Sequence, residues 1–223
     1  MDKKITFYFV RHGETLFNKL GRVQGWCDSP LTGLGIMQAK AVGLSLRNTS
    51  FDSVYCSTLA RAVDTANYIA GDRDLGIHYL KNLREMNFGM MEGALESHVS
   101  QDVKEREWGG RGWKDVGGDD RDSIEIRIKD AFAEMTEDAK DGDDILVITH
   151  GAFLMHMLMY ITKDKIKAEL DGNRDPIPNC SVSLVNYEDG QYSLKGFADT
   201  SYLENGMMEL EGTGGIYEQG LNA

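Results

Sequence analysis

Apolar residues along the chain fall into two alternating rhythms. The segment 5–10 reads Ile-Thr-Phe-Tyr-Phe-Val, short, β-branched and aromatic, which predicts a buried strand. A polar stretch from Arg11 to Pro30, carrying Gly13, Gly21 and Gly25, follows as a loop. Thr32 is placed to cap a helix on which Leu34, Met37, Ala41 and Leu44 share one face. Ser53 to Ser57 predicts a second strand. Thr58 caps the next helix, with Leu59, Ala62, Ala66 and Ile69 as its stripe. Later, Ile124, Ile128, Phe132, Met135 and Ala139 recur at helical spacing. The run 145–148 predicts a strand that ends at Thr149-His150-Gly151, before an apolar helix over 153–161. Val182 and Leu184 face Tyr192 and Leu194 across Glu188-Asp189-Gly190, a hairpin signature.

Strands alternating with helices predict an α/β fold, with a largely parallel sheet flanked by helices on both faces. The hairpin adds antiparallel character near the C-terminus. A single domain is expected over 1–205. Residues 206–223, glycine-containing and weakly periodic, are expected to form a poorly ordered tail or a peripheral wrap. The stretch 107–122 combines Gly, Trp and charge. It suits either a mobile loop bordering a site or a solvated surface loop.

Composition narrows the function. The chain has 223 residues, with 24 Lys plus Arg against 36 Asp plus Glu, a formal charge of −12. Such a surface repels nucleic acid and anionic membranes, so an anionic substrate requires a local basic pocket. No apolar run approaches the roughly 18 residues of a membrane span, and no signal-peptide pattern opens the chain. Three cysteines, Cys27, Cys56 and Cys180, with no CxxC, argue against a disulfide framework and for a reducing compartment. A cytoplasmic protein is expected.

The strongest local signal is Arg11-His12-Gly13-Glu14-Thr15, directly after the first strand. Ligands of open α/β sheets bind beyond the carboxyl ends of the strands. His150 ends another predicted parallel strand, and Arg61 lies in the first turn of the helix after the second. Both should reach the same edge, where a helix N-terminus adds free N–H groups. Two guanidinium forks match phosphate oxygens. Nearby positive charge keeps an imidazole neutral, hence nucleophilic, and stabilises a transferring phosphoryl group. No HExxH occurs, and Gly109-Gly110-Arg111-Gly112 is not a P-loop. Trp26 is expected to pack.

These residues, taken together, resemble the histidine phosphatase, or phosphoglycerate mutase-like, superfamily. The likeness runs from Phe7 to about Tyr202. It rests on Arg11 to Thr15 with Asn18, Gly25-Trp26-Cys27-Asp28-Ser29-Pro30-Leu31-Thr32 with Gly35, and Ser57-Thr58-Leu59-Ala60-Arg61-Ala62 with Thr65-Ala66. It continues through Leu83-Arg84-Glu85, Phe88-Gly89, Glu92-Gly93, Val147 to Gly151 and Pro178 to Val182. The resemblance implies a phosphohistidine on His12. It implies a phosphate pocket of Arg11, His12, Asn18, Gln24, Gly25, Arg61, Glu85, His150 and Gly151, and Glu85 as the general acid. Among the residues alone, Glu92 and Glu14 compete for that role. No metal and no cofactor are expected, since the arginines supply the positive charge.

The segment 86–93 resembles the phosphatase branch, and the span from Glu85 to His150 is short for a mutase. A phosphatase of small phosphomonoesters is therefore the first expectation, and a cofactor-dependent phosphoglycerate mutase the second. A non-catalytic phospho-ligand module is the reading of another class. Arg106 and Arg111 are candidate carboxylate contacts. The expected partner is a small phosphorylated metabolite, with neither nucleic acid nor membrane; a homodimer is compatible.

Overall fold

Strict alternation in the first strand decides the layering. In β1 (Lys4–Arg11), Ile5, Phe7 and Phe9 face one side of the sheet, while Tyr8 and Val10 face the other. Both faces are buried, so both need a cover of helices. The computed structural model describes residues 3–99, 106, 112–163, 166 and 177–212. Its sheet adds β2 (Ser53–Ser57), β3 (Ile77–Leu80), β4 (Asp144–Thr149), β5 (Val182–Glu188) and β6 (Gln191–Asp199), in the order β3-β2-β4-β1-β5-β6. The first four strands in that order are parallel. β5 runs antiparallel to β1 and forms the expected hairpin with β6. The fold is thus the α/β architecture that the pattern predicts.

The described helices are α1 (Leu16–Lys19), α2 (Gly33–Ser45), α3 (Ala60–Ala70), α4 (Arg121–Glu137), α5 (Gly151–Thr162) and α6 (Ser201–Gly212). α4 and α5 cover the Phe7 and Phe9 face, where Phe132 meets both rings edge-on. α2 and α3 cover the other face through Ala39, Val42, Leu46, Ala62, Ala66 and Ile69. Burying each phenylalanine of β1 is worth roughly 1.5–3 kcal/mol. Packing therefore fixes the sheet between its helices and leaves the polar strand ends available for chemistry. None of the described helices is long and apolar enough to cross a membrane.

Several local expectations are corrected. Thr32 caps α2 as expected, accepting from Gly35 N at 3.0 Å, and Ala41 of the expected stripe is buried, but Leu34 is exposed; Gly35, Ala39, Val42 and Leu46 are buried instead. Leu59, not Thr58, is the N-cap of α3; the Thr58 hydroxyl instead accepts from Arg84 Nε. The tail expected from residue 206 onward begins as helix, because α6 lies along α2. Residues 213–223 lie outside the described residues. Of the 107–122 stretch, residues 107–111 lie outside as well. Residues 112–120 are no solvated loop, since Trp113 is fully buried against Phe88.

The α2–α6 contact depends on Gly206, where a Cβ would stand 1.9 Å from the Ala41 carbonyl oxygen. Helix against helix backbone cannot yield as a flexible side chain does. Gly206→Ala is expected to destabilise the chain by about 1–3 kcal/mol, the usual range for overpacking. Urea unfolding measures it; an unchanged midpoint would show that α6 shifts at no cost.

Candidate active site

Strand register brings the predicted residues to one edge. Arg11 pairs with Thr149 across β1 and β4, and Cys56 pairs with Ile148 across β2 and β4. His12 N extends the first ladder by donating to the Thr149 carbonyl at 3.0 Å. His12 and His150 therefore leave adjacent strands side by side, with ring centroids 5.2 Å apart. Both are buried.

The hydrogen bonds assign the His12 tautomer. His12 Nδ1 lies 2.8 Å from the Gly13 carbonyl, which can only accept, so Nδ1 carries the proton. Nε2 is left with its lone pair, and Arg61 Nε donates to it at 3.2 Å. His150 Nε2 lies 2.7 Å from Ser57 Oγ, which also accepts from Leu59 N. With the serine hydroxyl donating to His150 Nε2, the imidazole proton would sit on Nδ1. That Nδ1 is buried and has no hydrogen-bond partner among the described residues. A buried polar atom left so costs about 1–3 kcal/mol, which as a donor it would recover on a bound oxyanion.

Two guanidinium groups complete the pocket. Arg61 is fully buried; its Nη2 donates to Gly25 O at 2.8 Å, and its Nη1 to Cys27 O at 3.2 Å and to Asp28 Oδ1 at 3.0 Å. The cation is held by the 25–28 loop and aimed at His12 by its Nε. Arg11 donates to Ile177 O. It crosses the start of α5 because Gly151 lets it pass: a Cβ there would lie 3.2 Å from Arg11 Nε. Burial first, then Arg61 and Arg11, holds the His12 imidazole well below its usual pKa of 6.5. His150 is lowered well below the same value, by burial first and then by Arg61 and His12.

Helix N-termini serve carboxylates rather than standing free. The first turn of α3 was expected to offer free N–H groups, but Ala60 N donates to Asp28 Oδ2 at 2.6 Å. At α5, Ala152 N reaches Glu85 Oε2 at 3.0 Å and Phe153 N reaches Oε1 at 2.7 Å; Met86 N adds a third bond at 2.8 Å. Glu85, 5% exposed, thus sits on the first turn of the helix that His150 caps. Its rivals are committed elsewhere. Glu92 accepts from Trp26 N, Cys27 N and Phe88 N and so ties the 25–27 loop down. Glu14 accepts from the Thr32 hydroxyl at 2.7 Å.

Other expected residues have local duties. Asn18 Oδ1 accepts from Thr15 N, forming the capping box of α1, and from Asn179 Nδ2. The two ends of the Gln24 amide meet the Thr15 and Ser29 hydroxyls. Both residues border the pocket through the loops that they brace. Arg106 is buried in an ion pair with Asp115 and is committed there; Arg111 lies outside the described residues. Trp26 does not pack away: it is 41% exposed, its indole N–H donates to Glu85 O at 2.9 Å, and Arg84 lies over its ring.

Three contributors went unassigned in the sequence. Ser57 Oγ bonds His150 Nε2, Asn179 Nδ2 holds the His12 carbonyl at 2.9 Å, and Arg127 grips the backbone at Glu85. Ser57 and Asn179 lie inside motifs that carry the family resemblance, a signal for them; Arg127 has no such mark.

Known proteins resemble this chain in sequence and fold. The family model described as "Histidine phosphatase superfamily (branch 1)" matches residues 7–200. A Yersinia pestis protein described as probable phosphoglycerate mutase GpmB is 32% identical over 206 residues, covering 88% of this chain and 94% of that protein. Among solved structures, a phosphoglycerate mutase of Bacillus anthracis aligns with a TM-score of 0.79 at 27% identity, covering 92% of this chain and 97% of the other. A phosphoserine phosphatase of Entamoeba histolytica, solved with 3-phosphoglyceric acid, aligns with a TM-score of 0.76 at 25% identity, covering 89% and 99%. With its two buried imidazoles and two guanidinium groups at one sheet edge, this chain belongs to the histidine phosphatase superfamily.

Proposed function

We propose that the chain is a phosphatase that hydrolyses small phosphomonoesters through a phosphohistidine on Nε2 of His12. The observation that carries this reading is the His12 tautomer. Its proton is pinned to the Gly13 carbonyl, and its lone pair faces a buried guanidinium.

In the first half-reaction the Nε2 lone pair attacks phosphorus in line as the P–O bond to the leaving group breaks. The Arg61 N–H that rests on Nε2 moves to an equatorial phosphoryl oxygen. The His150 Nδ1–H and Arg11 bind the others. These donors act where charge builds up in a water-poor site, so they need little reorganisation. Glu85 in its protonated form gives its proton to the leaving oxygen, help worth roughly 10²–10⁴ in rate. In the second half-reaction water attacks phosphorus, Glu85 takes the proton, and the N–P bond breaks to return neutral His12. The arginines supply positive charge throughout, so no step requires a metal ion.

The mutase reading has its own support in the names of the Yersinia and Bacillus relatives. There the phosphoryl group would return to a substrate hydroxyl instead of water. Phosphatases among the structural neighbours, together with the character of the 86–93 segment, favour hydrolysis.

Turnover of p-nitrophenyl phosphate and of a panel of small phosphomonoesters is expected to persist in excess EDTA. An acid-labile phosphoenzyme should be trapped with labelled substrate and be absent in His12→Ala. Loss of activity in EDTA, or an unaltered His12→Ala enzyme, would contradict the mechanism. Isomerisation of 3-phosphoglycerate, primed with a trace of 2,3-bisphosphoglycerate, that outruns phosphate release would assign a mutase instead.

The neutral imidazoles also set a pH dependence. In the folded chain both histidines have pKa values below that of an unfolded histidine, about 6.5. As pH falls below 6.5 the unfolded state binds protons that the folded state refuses, so stability drops until the folded pKa is reached. Between pH 7.5 and 5.5, His12→Asn is expected to lose less stability than the wild type, by on the order of 1 kcal/mol. Urea unfolding at the two pH values checks this, and equal losses would mean that His12 takes up its proton in the folded state.

A further inference from the structure

The segment that carries Glu85 is irregular backbone. It follows a short 3₁₀ turn at Lys81–Leu83 and precedes another at Gly89–Met91. The Glu85 carboxylate accepts from Met86 N and from the first turn of α5, but the main chain that carries it is in neither helix nor strand. That main chain is held from α4. Arg127 Nη1 donates to Arg84 O at 2.8 Å, and its Nη2 donates to Glu85 O at 3.1 Å. The same Nη2 pairs with Asp119 Oδ2 at 2.9 Å, and that oxygen also accepts from Asn87 N at 2.9 Å. Asp119 N closes the set by donating to Asn87 O at 2.8 Å. One ion pair, with side chains 14% and 16% exposed, therefore grips the backbone on both sides of Glu85.

The far face of the guanidinium lies 5.4 Å from the centre of the Phe153 ring, and Phe153 N is one of the donors to the Glu85 carboxylate. Arg127 thus touches the main chain of Glu85 and the residue that orients its side chain. Burying a guanidinium here is costly, because its Nε has no hydrogen-bond partner among the described residues. An apolar side chain would fill the same space with less desolvation but could not hold two carbonyl oxygens in fixed positions.

We propose that the Arg127–Asp119 pair is the positioning device for the general acid, setting where Glu85 delivers its proton without touching the phosphoryl group. This rests on the reading of Glu85 as the acid. Arg127 is a positioning residue, and a loss of acid function has a signature that general damage lacks. A nitrophenolate leaves without protonation, whereas an alkoxide requires it. Misplacing the acid therefore slows phosphoryl transfer from alkyl phosphates far more than from p-nitrophenyl phosphate. The ratio kcat/KM isolates that first half-reaction, because departure of the leaving group ends it.

The test measures kcat/KM on glycerol phosphate and on p-nitrophenyl phosphate for wild type, Arg127→Met, Asp119→Asn and Glu85→Gln. Inhibition by inorganic phosphate reports on the dianion pocket in each. Arg127→Met is expected to lose about 10²-fold on the alkyl ester and less than about 5-fold on the aryl ester, with phosphate inhibition unchanged. Asp119→Asn should show the same pattern more weakly, and it decides the matter if the methionine variant fails to fold. Equal losses on both esters, or none, would overturn the positioning role. A Glu85→Gln enzyme without leaving-group dependence would instead overturn the acid assignment.

Discussion

The rest of the site depends on keeping a proton off one nitrogen. In the proposed mechanism His12 Nε2 acts as the nucleophile only while it is bare, and the Gly13 carbonyl secures this by holding the proton on Nδ1. The surroundings then make a second proton unwelcome. The ring is buried, and Arg61 and Arg11 place positive charge beside it. Those cations also suit a transferring phosphoryl dianion, so one arrangement tunes the nucleophile and binds its target. A chain with a formal charge of −12 can do this because the charge acts locally. At physiological ionic strength exposed charges fade over about 8 Å, while buried pairs are screened far less.

The fold contributes by gathering chain ends. With the strands in the order β3-β2-β4-β1-β5-β6, the carboxyl ends of β1, β2 and β4 open onto one edge. The antiparallel β5 starts there, so residues 177–181 arrive beside His12. Cys180 N donates to Arg11 O and Asn179 reaches the His12 carbonyl, which ties the nucleophile's backbone from the antiparallel side. The helix termini at this edge are spent on carboxylates: Asp28 on α3 and Glu85 on α5. On the proposed function, phosphate binding would be left to side chains with full charges, while the α5 dipole would orient the acid. That division would separate the group that moves a proton from the groups that hold the anion.

The sequence made the chemistry legible where the function is carried by residue type at a strand end. Arg11, His12, Arg61 and His150 could be read because each sits one or a few residues beyond a recognisable apolar run. The central strands were equally legible from their apolar composition. β3 was not: only Ile77 and Leu80 are even half-buried at this sheet border, too little for a pattern. α6 was missed because it holds its helix by lying on α2 through Gly206, a tertiary contact that overrides a poor local propensity. The stripe on α2 was misplaced for a related reason. Covered by the sheet on one side and by α6 on another, that helix has no single wet face to reveal its dry one. The amides of Asn18 and Gln24 bond to Thr15, Ser29 and Asn179, partners that spacing alone does not disclose.

In the proposed mechanism hydrolysis and group return would use the same residues, so the difference between them would lie in what occupies the leaving-group position during the phosphoenzyme's lifetime. As the proposed acid, Glu85 would serve either acceptor, because a carboxylate that has given up its proton takes one back from water or from an alcohol. The neighbouring surface is Trp26, half open to solvent, with Arg84 laid over its ring and anchored to the Thr58 hydroxyl. On the proposed function, an alcohol that bound there tightly would exclude water and recapture the phosphoryl group, and one that left quickly would surrender the position to water. Outcome would then follow from residence time at the rim rather than from the catalytic set. This gives a physical reason why proteins described as mutases and as phosphatases align with the same chain over nearly its whole length.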